Sequence, residues 1–546
     1  MERINDLTFN PDYSSISIST SEGHRIFNCE PFGEFYSSTQ GTSRRSISNS
    51  IEETTTLHRI GSRSSNDDIR SPSQNNNDTN VFPTVFLKML FSTSLTIIVP
   101  QDNAGNNRLL KIYNLKQNLK ICELTFPSNI IDIKLNRKRL LVVLETGQIY
   151  IYDLSCVRLL KILQINPISV NDENHDEFVG ELSVDDRSWL VIPISQLGTN
   201  TNLFGADYKF SSSESMDTPG NNPKSTNIQS YFDSMIEFTK KTSTSSLRNK
   251  SNITLDDIKH DSNGWVLVYD TLDLKPILIF QAHDSSIAKI AISNNSENKI
   301  ATASKKGTIV RVFQLKESTE DNNGKKFQVK QVTNLRRGHN LARINSLSFH
   351  NDNQVLGCGS ESDTIHIFKL SDDRNTAQTN NENNEDNGEN EDSDMETSRS
   401  SDDLNESLAG LLLSKPVDSP STSPKNESKN QSSWLKKTKK FLKNNYTNKI
   451  IKKLPYKDYF ENLIWEPPRR SFAYIKLPEN NTNTEGGGNR RFKVEIGFNN
   501  DLVYLASYQT GNFYQYQLPR RRSSVVSFSD EEKREECLLV GQYSLL

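Results

Sequence analysis

Seven short stretches of this chain, some alternating apolar and polar positions and one, Trp265 to Tyr269, apolar throughout, each close on an aromatic residue. In order they are Gly23-His24-Arg25-Ile26-Phe27, Leu109-Leu110-Lys111-Ile112-Tyr113, Gln148-Ile149-Tyr150-Ile151-Tyr152, Trp265-Val266-Leu267-Val268-Tyr269, Thr308-Ile309-Val310-Arg311-Val312-Phe313, Thr364-Ile365-His366-Ile367-Phe368 and Asn512-Phe513-Tyr514-Gln515-Tyr516. A period of two is that of a β-strand with distinct faces. Most of the seven are opened by a turn residue: Gly147, Gly264, Gly307, Asp363 or Gly511. The uninterrupted spacings are 39 residues from Tyr113 to Tyr152 and 44 from Tyr269 to Phe313. Such spacings fit one four-stranded blade. The pattern therefore predicts an all-β chain folded as a single seven-bladed β-propeller over residues 1–546.

Tyr152 and Tyr269 are each followed by Asp, a pair similar to the Trp-Asp end of a WD40 repeat with a different aromatic. The remaining gaps between repeats are longer because polar tracts interrupt them. Residues 37–80, 196–261 and 371–470 are rich in Asn, Ser, Asp and Glu. Such composition buries too little apolar surface to offset the entropy of ordering, so these tracts are expected to be disordered insertions between blade strands. The composition of the whole chain agrees, with 34% hydrophobic residues and a mean hydropathy of -0.66. Roughly 300 residues of ordinary composition remain, enough for one large β domain. A last strand, Cys537 to Tyr543, or the N-terminal one is expected to close the ring, since an open ring leaves unpaired edges.

A formal net charge of -3 excludes bulk basicity as a means of holding nucleic acid or an anionic membrane, so any anion binding has to be local. The five cysteines (Cys29, Cys122, Cys156, Cys358, Cys537) show neither a C-x-x-C nor a short Cys/His spacing. They read as small core residues of an intracellular protein rather than metal ligands or disulfides. The most apolar stretch, Val85 to Val99, is broken by Lys88, Ser92, Thr93, Ser94 and Thr96 and is too short to span a bilayer. Membrane contact, where there is any, is expected to be peripheral.

Local basicity is found in Asn334-Leu335-Arg336-Arg337-Gly338-His339. On its own an Arg-Arg-Gly is an ordinary solvated surface segment. Successive side chains of an extended segment point to opposite sides, so Arg336 and Arg337 are placed to serve two pockets rather than one. Each guanidinium is a permanent cation with a planar fork that suits phosphate, and Gly338 is expected to allow a turn at positive φ. Two flanking segments add hydroxyls and one histidine each: His283, Ser304 and Thr308 in one, Ser360, Thr364 and His366 in the other. Arginine with hydroxyl donors makes a cradle for a phosphorylated sugar ring. The alternative for His283 is a bond to the propeller's own framework, whereas His366 alternates with Ile365 and Ile367 and is expected to line a pocket.

With Ala301 to Phe313 before it and Ser362 to Leu370 after it, Leu335-Arg336-Arg337-Gly338 resembles the Phe/Leu-Arg-Arg-Gly motif of the PROPPIN family of phosphoinositide-binding β-propellers. The resemblance extends to Ile26 to Gly33, Met89 to Leu95 and Leu135 to Leu140, and so covers the blades and none of the insertions. It implies two headgroup sites for phosphatidylinositol 3-phosphate or phosphatidylinositol 3,5-bisphosphate. By motif, the first would use Arg336, Ser304, Thr308 and His283, and the second Arg337, Ser360, Thr364 and His366. It also implies a cytoplasmic monomer with no cofactor and no nucleic-acid partner. That protein would dock on vacuole, endosome and preautophagosomal membranes, work in autophagy and cytoplasm-to-vacuole transport, and recruit the autophagy machinery that conjugates ubiquitin-like proteins to lipid.

Residues 434–454, within the sixth-blade insertion, carry many lysines and no acid. Apolar Trp434, Leu435, Phe441, Leu442, Tyr446, Ile450 and Ile451 form a stripe at helical spacing, the composition of a helix lying in a membrane interface. Each lysine near an anionic surface contributes about 1 kcal/mol. The alternatives are a basic disordered segment or a partner-binding helix. In the family the resemblance points to, a loop of this blade inserts between lipids, which makes Trp434, Leu435, Phe441, Leu442, Ile450 and Ile451 its candidate inserting residues. A different class of function is a WD40-type platform whose arginines bind an acidic partner protein. No Ser/His/Asp arrangement, metal cluster or Gly-rich phosphate loop at usable spacing supports an enzyme.

Overall fold

The structure, a computed structural model, describes residues 2–38, 82–168, 177–198, 201–203, 236–237, 258, 263–294, 297–319, 325–370, 468–478, 492–519 and 534–546. They form seven sheets of four or five strands. The innermost strands touch their neighbours in a cycle, from Ile4–Phe9 through Thr84–Met89, Ile130–Leu135, Glu181–Leu182, Ile287–Ile292 and Ile344–Phe349 to Val494–Asn499, which packs back on Ile4–Phe9. This is a seven-bladed propeller. Each of the seven aromatic-ended stretches is the third strand of its blade. The closing aromatics Phe27, Tyr152, Tyr269, Phe313, Phe368 and Tyr516 are buried between blades, and Tyr113 is half-buried. Both faces of a blade are covered by its neighbours, so third strands such as Trp265–Asp270 and Thr364–Lys369 are buried along most of their length and only the strand ends reach solvent.

The ring closes without exchanging strands. Residues Ile4 to Ser37 build all four strands of the first blade, and the last strand, Leu538–Ser544, is the outer strand of the seventh. Of the two candidates the sequence offers for closing the ring, the last strand completes the seventh blade, and neither terminal strand crosses into the other blade. Closure rests on side chains instead: Leu7, Ile16, Ile18 and Phe27 of the first blade pack with Tyr504, Phe513 and Leu545 of the seventh. The Gln515 Nε2 donates to the Cys29 carbonyl at 2.7 Å, and Phe32 stacks on Tyr543 at 4.2 Å.

Val85 to Val99 folds as a hairpin of strands Thr84–Met89 and Leu95–Pro100 in the second blade. Cys29, Cys358 and Cys537 are buried as expected, but Cys122 is half-buried and Cys156 is exposed in the turn between Gln148–Asp153 and Arg158–Gln164. A turn joining two outer strands has no neighbouring blade to cover it.

The expected insertions 37–80, 196–261 and 371–470 fall largely outside the described residues. Their described positions are tied to blades. Leu203 and Ile258 pack in the core shared by the third and fourth blades. Ile236–Glu237 pairs with the outer strand of the fourth blade, and Arg469–Arg470 with that of the fifth.

Candidate anion-binding sites on the fifth and sixth blades

The arginine pair ends the outer strand of the fifth blade, Lys325–Arg336, which is laddered against Ile309–Thr319. Val310 stands opposite Leu335, and both are buried between the fifth and sixth blades. Ile309 stands opposite Arg336, one position out of phase. Facing residues of a ladder share a side and neighbours alternate, so Arg336 projects toward the fourth blade and Arg337 toward the sixth. One dipeptide thus serves both faces of a blade.

The face toward the fourth blade carries Thr302 opposite Arg311, with Ser304 two residues further along the same strand. His283 is 5% exposed, and its Nε2 lies 3.0 Å from the Thr302 hydroxyl. Burial, then the Arg311 charge, push its pKa down to about 3, so the ring is neutral and bonded to the blade. Arg311 donates from Nη1 to the Ala282 carbonyl at 2.6 Å. Arg336 is half-buried, and no described residue forms a hydrogen bond or ion pair with its side chain. Thr308 is half-buried; its carbonyl accepts from the Arg337 amide at 3.0 Å, which sets it across the ladder from Arg337 rather than Arg336.

The face toward the sixth blade holds a cavity of about 720 Å³ lined by Arg337, Ser362, Thr364, His366, Tyr474, Lys476 and Arg534 among others. Arg337 is 5% exposed. Its Nε donates to the Gly307 carbonyl at 2.6 Å, one Nη to the Asn340 carbonyl, and the other to the Ser362 hydroxyl at 3.4 Å. Of five N–H groups, those not engaged by these three contacts remain for a ligand. Ser360 is fully buried and reaches the cavity only through Ser362, whose hydroxyl it meets at 2.7 Å. His366 lines the cavity, with Nδ1 3.3 Å from the Ser471 hydroxyl. Burial, then Arg337 and Arg534, hold its pKa down at about 4. Arg337, Lys476 and Arg534, with His339 and the neutral His366 beside them, line one cavity against the single acid Glu361, a balance that suits an anion.

Gly338 does not turn the chain at positive φ; a Cβ there would meet nothing within 4 Å. The left-handed position is Gly307, at φ +64. Gly338 instead lines the cavity, where its missing side chain leaves the mouth open.

Arg311, Ser362, Tyr474, Lys476 and Arg534 were not singled out in the sequence. Alternation from Ile309 and from Thr364 could have found Arg311 and Ser362. Nothing local signals Tyr474, Lys476 or Arg534, because long stretches of sequence separate them from the arginine pair. The basic stretch 434–454, with Trp434, Leu435, Phe441, Leu442, Ile450 and Ile451, lies outside the described residues.

The PROPPIN family model matches residues 46–195 and 235–388. Autophagy-related protein 21 of Candida albicans is 58% identical over 553 residues, spanning 100% of this chain and 100% of its own length. Autophagy-related protein 18 of Aspergillus clavatus is 27% identical over 544 residues, spanning 99% of this chain and 100% of its own. A solved structure of Kluyveromyces lactis Hsv2 with its complete loop 6CD aligns at a TM-score of 0.50 and 13% identity over 100% of both chains, a likeness of fold alone.

Proposed function

The chain belongs to the PROPPIN family, an autophagy-related family of phosphoinositide-binding propellers, and from that premise we propose that it is a non-enzymatic scaffold that docks on membranes through two headgroup sites. The first site is centred on Arg336, with Ser304 on the same face of the blade and His283 as a framework residue; Thr308, expected there by motif, stands across the ladder from Arg337 instead. The second is centred on Arg337, with Thr364 and His366 in the cavity and Ser360 behind Ser362. The ligand is phosphatidylinositol 3-phosphate or its 3,5-bisphosphate. The observation that carries this reading is the placement of two adjacent arginines on opposite faces of one blade, one of them in a cationic cavity.

Arginine takes a phosphomonoester through two parallel N–H donors, and serine and threonine hydroxyls satisfy the oxygens left over. Neither site has to be strong. Two weak sites on one rigid body, joined by the lysine-rich stretch 434–454 as an interfacial wedge, act as one multivalent anchor. Peripheral membrane association follows, and we place it at the vacuole, endosome and preautophagosomal structure. Docked there, the propeller would present its remaining blades to the autophagy machinery that conjugates ubiquitin-like proteins to lipid, in autophagy and cytoplasm-to-vacuole transport.

Flotation of the full chain with vesicles containing phosphatidylinositol 3-phosphate tests this. Arg336→Thr and Arg337→Thr should each weaken binding, the double change should abolish it, and deletion of residues 434–454 should weaken it further at equal headgroup content. A double variant that floats like the parent would overturn the lipid reading and favour a platform that binds an acidic protein.

A further inference from the structure

The arginine strand has a second neighbour from far along the chain. Arg469–Arg470 lies parallel to the outer edge of the fifth blade, with Leu335 opposite Arg469 and Arg336 opposite Arg470. Residues paired in a ladder project to the same side. Arg469 donates from Nη1 to the Leu370 carbonyl at 3.2 Å, just past the third strand of the sixth blade. It therefore faces the sixth blade, as Leu335 does, and Arg470 faces the fourth, beside Arg336.

Two permanent cations thus stand side by side on adjacent strands, with backbones about 5 Å apart. Like charges directly opposite one another destabilise a sheet. No described residue forms an ion pair or hydrogen bond with the side chain of either one. Arg470 is exposed and Arg336 half-buried, so both have N–H groups free to turn outward. An anion placed between them converts the repulsion into two charge-assisted contacts. A phosphomonoester, with its three terminal oxygens and near-double charge, can accept from both forks at once.

We infer that Arg470 is a ligand-binding residue of the first site, clamping one phosphomonoester dianion together with Arg336. This rests on the two-site reading above and deepens it. The clamp also ties the ligand to the return strand Arg469–Arg470, so that binding the phosphate favours the position in which that strand is paired on the fifth blade.

The test uses the full chain with Arg336→Ala, Arg470→Ala, the double change and Arg469→Ala, on phosphatidylcholine vesicles with and without phosphatidylinositol 3-phosphate. Arg470→Ala should bind about tenfold more weakly, and the double change should lose less than the product of the two single losses, because both arginines hold one phosphate. Without ligand, Arg470→Ala should melt no lower than the parent, since a repulsion has been removed; a lower midpoint would mark a structural arginine and overturn the inference. If Arg336→Ala weakens vesicle binding and Arg470→Ala does not, the clamp is wrong and the two-site reading stands. If neither weakens it, the clamp and the first site both fail. Thermal shifts with inositol 1,3-bisphosphate and with inorganic phosphate assign the source of the dianion: a shift with the former alone names the lipid headgroup, an equal shift with both names free phosphate, and a shift as large in Arg337→Ala/Arg470→Ala as in Arg337→Ala alone overturns the clamp.

Discussion

Arg337 is fastened to Gly307 by a 2.6 Å hydrogen bond from its guanidinium to the backbone carbonyl, and this makes the two adjacent arginines unequal in what they do for the fold. Arg337 also serves the Asn340 carbonyl and the Ser362 hydroxyl from a buried position, whereas no described residue pairs with the Arg336 side chain. Truncating Arg337 strands two carbonyls, at a cost of about 2 kcal/mol. Truncating Arg336 should stay within about 0.5 kcal/mol of the parent. Urea unfolding of Arg336→Ala and Arg337→Ala measures this directly, and equal midpoints would refute the anchoring role. Any loss of vesicle binding by the Arg337 variant has to be read at equal folded fraction.

The two glycines around the motif should respond in opposite ways. A Cβ at Gly307 would sit 1.8 Å from the Ala342 carbonyl, at a φ of +64 that other residues seldom adopt. Gly307→Ala is expected to cost at least about 2 kcal/mol, from left-handed strain plus a backbone clash. It should also loosen Arg337, whose main acceptor is that residue's carbonyl. Gly338→Ala meets no atom and should stay within about 0.5 kcal/mol of the parent. Thermal melts of the two single variants separate these outcomes, and a neutral Gly307→Ala would mean the turn can be rebuilt.

Stability should fall on mild acidification through three buried histidines. Burial first of all lowers the pKa of His24 to about 4, His283 to about 3 and His366 to about 4. Between these values and the ordinary 6.5, the unfolded chain binds protons that the folded chain refuses. Stability is therefore fully present above pH ~6.5 and is lost as the pH falls toward ~4, by up to about 1.4 kcal/mol per pH unit for each histidine. Urea midpoints at neutral pH and near pH 5 should show the loss, and His283→Gln should make the slope shallower. A midpoint that does not change over that range would mean these imidazoles are not held neutral.

The third strand of every blade could be read from the sequence because a strand covered on both faces, with solvent at its ends, leaves a local imprint: a short, largely apolar run with a turn residue before it and a closing aromatic. Arg336 and Arg337 were legible for another local reason: strand geometry alone sends adjacent side chains to opposite faces. What the sequence hid is non-local. Arg470, Tyr474, Lys476 and Arg534 reach the arginines only after long excursions of the chain, and no short-range pattern records which strand edge a returning segment joins. Gly338 was misread because a glycine after a strand suggests a turn, and the open space around it is a property of the assembled cavity. Ser360 was placed one step too far forward, since Ser362 stands between it and the cavity.

Ring closure gives the last test. Because the first and seventh blades share no strand, their joint depends on the packing of Leu545 and Phe513 against Leu7, Ile16 and Phe27, and on the bond from Gln515 to the Cys29 carbonyl. Leu545 is fully buried, so Leu545→Ala should cost about 2–4 kcal/mol through lost transfer energy and the cavity left behind. Gln515→Ala removes one buried donor and should cost about 1–2 kcal/mol. Deleting residues 538–546 takes away the outer strand of the seventh blade together with Leu545 and the Tyr543 stack on Phe32, leaving the edge of Asn512–Gln517 unpaired. The shortened chain should lose its cooperative transition and associate through that edge. Unfolding curves with light scattering decide the matter: a shortened chain that melts like the parent would show that the ring is held by its inner strands, and that the terminal strand only covers it.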